Sequence, residues 1–327
     1  MPPMATASFS FERVGRFLTT AKWLRRGVGI TLVVGAAWWA AASWPQGVRF
    51  RADALGFAVA VAFGNLVATA MLHRSVVGGI GSRPRVGRAE MVGVTAMSGV
   101  LNYLPAPRAG LVGRAVYLKA VHGYSLLDST RATVAILALG VLVTALPGAV
   151  LLLTTLTGAR TVTAWMGLTA SLALAAWLAP RLAERLLAAP IRLTWNWVLW
   201  RAIDLALGAT RMWLCLYAVG AQIDLITAVT LAAGWALVKM TAITPQGLGV
   251  AEWALIGLAA VQADLPAGAM ASAALLDRFV EAVALGAGAL LLGKGKLVRE
   301  PRVAPLEADA AQPFSFRPRP DGDRSPH

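Results

Sequence analysis

Residues 244–255 read TPQGLGVAEWAL and interrupt a long apolar run with Pro245, Gly247 and Gly249, followed at once by a carboxylate, Glu252. Proline lacks the N–H that a helical ladder needs and glycine favours a sharp turn. A helix arriving from Leu231 is therefore expected to break near Thr244, and a new one to start near Leu248. Backbone groups left unpaired in apolar surroundings cost several kcal/mol unless protein or a water-filled cavity surrounds them. The stretch reads as the tip of a re-entrant hairpin inside a membrane, with Glu252 one turn beyond it. An ionisable residue at that depth points to function. The alternative is a tight turn between two buried helices, with Glu252 as a cap.

Composition sets the class. The chain has 327 residues, 57% hydrophobic and 14% charged, with a mean hydropathy of +0.65; soluble domains carry about 25% charge. This is the composition of an all-α integral membrane protein that crosses the bilayer several times. The net charge of +14 does not indicate nucleic acid, because the basic residues fall in short clusters between apolar segments. Such clusters set topology and face the cytoplasm, where they attract anionic lipid. One cysteine, Cys215, excludes an intrachain disulfide and any multi-cysteine metal site. Arg13, Arg16, Lys22, Arg25 and Arg26 lead into the first apolar segment, and no small-residue cleavage site follows. A signal-anchor first helix is expected.

The order of segments is predicted as follows. Residues 1–26 form a cytoplasmic N-terminal segment, and helices cover 27–43 and 54–72. The apolar run 90–104 is short, and at about 1.5 Å per residue it reaches roughly two-thirds of a 30 Å hydrocarbon core. It ends in NYLPAPRAG, with Asn102, Pro105, Pro107, Arg108 and Gly110, and LVGRAVYLKAVHG follows. Placing Pro107 on Pro245 puts Arg114 on Glu252, so one half offers a cation where the other offers an anion. Helices then cover 132–156, 162–178 and 195–219; a second broken pair covers 228–243 and 248–261, and a last helix 269–293. Residues 294–327 read as a disordered cytoplasmic tail.

Charge bias fixes the sidedness. Loops 73–90 and 180–192 and both ends are rich in Lys and Arg, whereas loops 45–53, 157–161, 220–227 and 263–269 hold few. All basic loops share one side if each broken pair returns to the face it entered. A pair crossing twice gives the same parity, but the segment length and the Pro-Gly breaks favour re-entry. The prediction is about six transmembrane helices plus two re-entrant hairpins, about 90–122 and 228–262, with both termini cytoplasmic. The two membrane repeats, 27–156 and 157–293, are then inverted relative to one another. In inverted-repeat transporters, sites lie near the midplane, where discontinuous helices aim their ends at substrate.

TPQGLGVAEWALIGL, the PAGAMASAALLDRF run and NYLPAPRAGLVGRAVYLKAVHGYS together resemble the lysylphosphatidylglycerol synthase transmembrane-region family. That family includes the flippase half of the multiple-peptide-resistance factor. The likeness runs from about the first helix to Gly293 and implies a multi-pass inner-membrane protein that moves, or helps move, a polar-headgroup lipid between leaflets. Two positions depart from the family pattern: Ala251 stands where an Arg usually precedes the Glu, and Gln246 replaces the first of paired glycines. No aminoacyl-transferase domain follows the membrane part, so the chain is not expected to charge lipid with lysine. The resemblance leaves the cargo open between phospholipid and glycolipid.

Helix N-termini carry partial positive charge and free N–H donors that suit phosphate. Those near Ala109 and Leu248 would aim at mid-membrane, and Arg108 and Arg114 would add phosphate contacts. Glu252 is expected to pair with Arg114 in an empty path or to contact a cationic headgroup; the alternative is a permanent pair tying the halves together. Arg201 and Asp204, three apart, form a local pair. Arg211, Asp277, Arg278 and Glu281 are supporting charges that face the bundle interior. His73 and His122 are read as interfacial, and Trp235 and Trp253 as packing residues. Three histidines and one cysteine offer no catalytic or metal constellation, no P-loop is present, and no cofactor is implied. The leading function is a flippase or scramblase. An accessory subunit bound to a lipid-synthesising enzyme comes next, then a membrane-embedded lipid-modifying enzyme.

Overall fold

The computed structural model describes residues 50–80, 86–103, 108–157, 161–187, 191–241, 249–262 and 265–293, together with Thr31, Val34, Trp38 and Ala42. The first helix expected over 27–43, apart from those four positions, and the tail 294–327 lie outside the described residues, as do Pro105, Pro107, Pro245 and Gly247. Every regular element among the described residues is helical.

Helix α1 (Ala52–Ile80) is followed by two short helices, α2 (Arg88–Asn102) and α3 (Ala109–His122). Next come α4 (Leu126–Gly140), a π-helical turn (Val141–Ala145) and α5 (Leu146–Leu156), which make one continuous rod. The second half repeats the pattern with long helices α6 (Thr161–Leu187) and α7 (Ile191–Ala218), short helices α8 (Leu225–Thr241) and α9 (Val250–Gln262), and long α10 (Ala267–Gly293).

Local sequence explains the rod. Ser125 caps α4: its Oγ accepts from the Asp128 N–H at 3.0 Å while the Asp128 carboxylate accepts from the Ser125 N–H at 3.3 Å. This capping box starts the helix before the expected position 132. The π turn ends two residues before Pro147, whose ring would clash with the carbonyl of Val143 in a regular α-turn and whose missing N–H would leave that carbonyl unbonded. Widening the turn relieves that clash without ending the helix. α1 runs about two turns past its expected end, and α6 continues through Pro180.

Among the described residues, three stretches are long and apolar enough to cross a membrane: Ala52–Gly79, Leu126–Thr154 and Val162–Leu182. α7 and α10, with 28 and 27 residues, also exceed the roughly 20 residues that a bilayer core needs, but they carry charges. α2, α3, α8 and α9 have 15, 14, 17 and 13 residues, which gives about 20–26 Å each at 1.5 Å per residue. Phe57, Leu153, Met166, Leu174, Leu199 and Leu290 stand exposed on the outside of the bundle. So much outward apolar surface suits a lipid environment rather than water.

α1 and α7 form the most extensive pair, and they run antiparallel. The Arg51 N–H donates to the Ala218 carbonyl at 3.0 Å, and the Arg51 guanidinium bonds the Tyr217 hydroxyl and covers its ring. The first arm of each broken pair packs on the rod of the other half: α2 on α10, and α8 on α5. Glycines permit both approaches. A Cβ on Gly99 would lie 2.5 Å from Leu285 of α10, and one on Gly148 would lie 2.6 Å from Ala233 of α8. Small residues at such crossings are how helices pack closely where apolar solvent supplies no drive to associate. One apolar core centres on Leu72, Met91, Leu118 and Trp197, the other on Met212, Leu231, Leu255 and Met270.

Candidate functional site

The two helices that flank the first broken motif, α2 and α3, pack on one another. Arg108 adopts a left-handed conformation with φ 56°, and the Asn102 side-chain oxygen accepts from the Gly110 N–H at 2.9 Å. Gly110 sits so close to α2 that a Cβ there would lie 1.9 Å from the Ser98 carbonyl oxygen. The N–H groups of Leu111 and Val112 both donate to the Arg108 carbonyl. At this helix start the Gly110 N–H is thus taken by Asn102 of α2, and those of Leu111 and Val112 by Arg108. Arg108 itself is exposed.

Arg114, one turn further on, is buried at 8% exposure. Its guanidinium makes no hydrogen bond or ion pair with any described residue. It lines a cavity of about 190 Å³ between α1, α2, α3, α7 and α10, together with Asn65, Thr69, Ser98, Asn102 and Glu281. His73 also borders this cavity and is buried. α1 continues about two turns past it. His122 is half-buried and sits 2.7 Å from the Glu90 carboxylate, which also accepts from the Tyr117 hydroxyl at 2.7 Å.

The second motif resolves its charge differently. Gly249, with φ 80°, leads directly into α9. Glu252 is fully buried, and its Oε1 accepts from Arg278 Nε at 2.8 Å. The Arg278 guanidinium also lies over the Trp235 ring, 4.5 Å from its centroid. Glu252 Oε2 and both terminal nitrogens of Arg278 have no hydrogen-bond partner. The expected Arg114–Glu252 pair is thus not formed. α3 packs chiefly on α2 and α4, whereas α9 packs chiefly on α8 and α10, so Arg278 of α10 reaches the carboxylate. Trp235 is a buried packing residue as expected, while Trp253 is half exposed, at 37%.

A polar seam runs across the middle of the bundle. Arg201 donates to Asp204 at 2.6 Å, the local pair expected from their spacing. Asp204 also accepts from Asn65 at 2.7 Å and Thr69 at 2.6 Å. Asn65 in turn accepts from Arg211 at 3.1 Å. Arg211 forms a two-pronged pair with Asp277, at 2.6 and 3.0 Å. Lys239 of α8 donates to both carboxylate oxygens of Glu281, at 3.1 and 3.0 Å. Sequence reasoning missed Lys239, Asn65 and Thr69. A lone lysine in the apolar run WALVKM was the readable signal for the first; the other two are uncharged and give none.

Among the described residues these groups comprise five cations (Arg114, Arg201, Arg211, Lys239, Arg278) and four anions (Asp204, Glu252, Asp277, Glu281). Each anion is paired with one cation. Arg114 is the cation left over, and it faces the cavity. A charge so placed lowers its energy by taking up an anion.

The family model described as lysylphosphatidylglycerol synthase TM region matches residues 27–288. No curated protein and no solved structure matches the chain.

Proposed function

The chain belongs to the lysylphosphatidylglycerol synthase TM region family, and from that premise we propose that it is a flippase or scramblase carrying a phospho- or glycolipid headgroup between leaflets. The observation that carries the reading is the unpaired, buried Arg114 on the cavity wall. A lipid phosphate entering the cavity supplies the missing anion, Asn102 and Ser98 offer neutral polar contacts, and the acyl chains stay in the bilayer. Guanidinium suits a phosphodiester because its planar fork donates two parallel hydrogen bonds. The other charges hold the walls, since each already has its partner.

The topology in this proposal is about six spanning helices and two hairpins dipping in from opposite faces, with both termini cytoplasmic, in the inner (plasma) membrane. The antiparallel α1–α7 pair and the exchanged packing of α2 on α10 and α8 on α5 support an inverted repeat. No catalytic chemistry is assigned to the chain.

The test is leaflet exchange of a fluorescent phospholipid in liposomes containing the purified protein. The unaltered chain should exchange lipid, and Arg114→Ala should slow it at least tenfold, about 1.4 kcal/mol. Absence of exchange by the unaltered chain, or chemical change of the headgroup, would direct attention to an accessory or enzymatic role. An unaltered rate in Arg114→Ala would remove the arginine from the path.

A further inference from the structure

A second cavity, of about 520 Å³, lies between α1, α2 and α7. On α1 the central cavity is lined by residues 62, 65, 66, 69 and 73, while this one is lined by 67, 71, 74, 75 and 78. Residues 62, 66, 69 and 73 share their helical spacing with 67, 71, 74 and 78, displaced by five residues, or roughly 140° of rotation. The two cavities therefore sit on well-separated faces of α1 with the helix between them.

Its lining is amphiphilic. Val67, Met71, Val92 and Trp200 form an apolar wall, and Arg74 and Arg88 stand at one end. Arg74 donates through Nε to the Val86 carbonyl at 2.8 Å, which fixes its side chain. Neither its terminal nitrogens nor the exposed guanidinium of Arg88 bond a described residue. The nearest carboxylate in sequence, Glu90, is engaged by Tyr117 and His122. α2 begins here at Gly87, which has no side chain to cap it, and Glu90 of its first turn lies beside that end. Arg74 lies in the last two turns of α1 and Arg88 opens α2, so the polar end lies toward the end of α1 and the start of α2, and the apolar wall runs toward the middle of the bundle.

We infer that this cavity holds an anionic phospholipid, its phosphodiester between Arg74 and Arg88 and its acyl chains along Val67, Met71, Val92 and Trp200, as a resident lipid separate from the translocation route. A free phosphate would use the arginines but not the apolar wall, and a zwitterionic choline lipid would bring a cation beside two guanidinium groups.

Native mass spectrometry of the full chain, released from detergent with phosphatidylglycerol or phosphatidylcholine added, tests this. Retention of one phosphatidylglycerol should exceed that of phosphatidylcholine about tenfold. Arg88→Glu should abolish that preference, and Arg74→Gln should weaken it. Arg114→Leu should keep the bound lipid even where leaflet exchange is lost, which separates this site from the proposed route. Equal retention of the two lipids, unchanged binding in Arg88→Glu, loss of the lipid in Arg114→Leu, or its full displacement by inorganic phosphate would each overturn the inference.

Discussion

Arg114 and Glu252 hold matching places in the two broken motifs, yet Glu252 is bonded to Arg278 at 2.8 Å and Arg114 faces a cavity. Their mutational signatures should differ accordingly. Removing one member of a buried ion pair leaves an uncompensated charge and costs about 3–5 kcal/mol. Glu252→Leu and Arg278→Leu should each destabilise the detergent-solubilised protein by about that amount, while the double replacement costs less than the sum of the two. Thermal or denaturant unfolding of the four proteins measures the coupling; strict additivity would deny the pair an energetic role. Arg114→Leu breaks no pair, so its midpoint should stay level or rise. A fall of the size expected for Glu252→Leu would reveal a partner for Arg114. The spacing of Arg201 and Asp204 made their pairing readable from one helix. The partner of Arg211 was not readable, because Asp277 lies 66 residues away.

At the scale of elements, the tip of the first broken pair depends on an absent side chain. Gly110→Ala would put a methyl group 1.9 Å from the Ser98 carbonyl oxygen, and overpacking of this kind costs about 1–3 kcal/mol or more. A Cβ on Gly257 of α9 would point into open space, with nothing within 4 Å. Gly257→Ala should therefore be neutral or stabilising by up to about 1 kcal/mol, as helix propensity favours. Comparing the two unfolding midpoints checks the contrast; equal effects would mean that α3 does not need its close approach to α2. Where helices break was legible from Pro and Gly. The rod beginning at α4 starts at the Ser125–Asp128 capping box, a signal present in the sequence that the expected start at 132 did not use. Reading 132–156 as one helix already carried it through Pro147; the π turn that accommodates the proline was not legible, because it changes hydrogen-bond partners without changing the apolar pattern.

For the whole molecule, the proposed topology places the ends of each broken pair on one face, opposite faces for the two pairs. Cys215 is buried, so single cysteines can be introduced beside it. Ala89→Cys and Ala120→Cys should react with an impermeant maleimide only from the cytoplasmic side, and Gln222→Cys and Pro266→Cys only from the other. Labelling of Ala89→Cys and Ala120→Cys from opposite sides would mean that one arm of that pair spans by itself, and the inverted repeat would be lost. The basic face also carries both guanidinium groups of the cavity beside α1. The bias that orients the chain and the groups suited to hold anionic lipid are therefore the same residues.

Hydropathy, Pro-Gly punctuation and the spacing of basic loops are properties of neighbouring residues, and by themselves they determined a helical membrane protein, the two broken motifs, the recognisable family and the interior position of the charges. Beyond the local Arg201–Asp204 pair, which cation faces which anion was decided only by the tertiary structure. The partners Glu252–Arg278, Lys239–Glu281 and Arg211–Asp277 are separated by 26, 42 and 66 residues. Their meeting depends on how each helix is rotated about its axis and which helix crosses it, and side-chain charge alone fixes neither. Shape and rotation together left Arg114 as the buried cation that bonds no described residue.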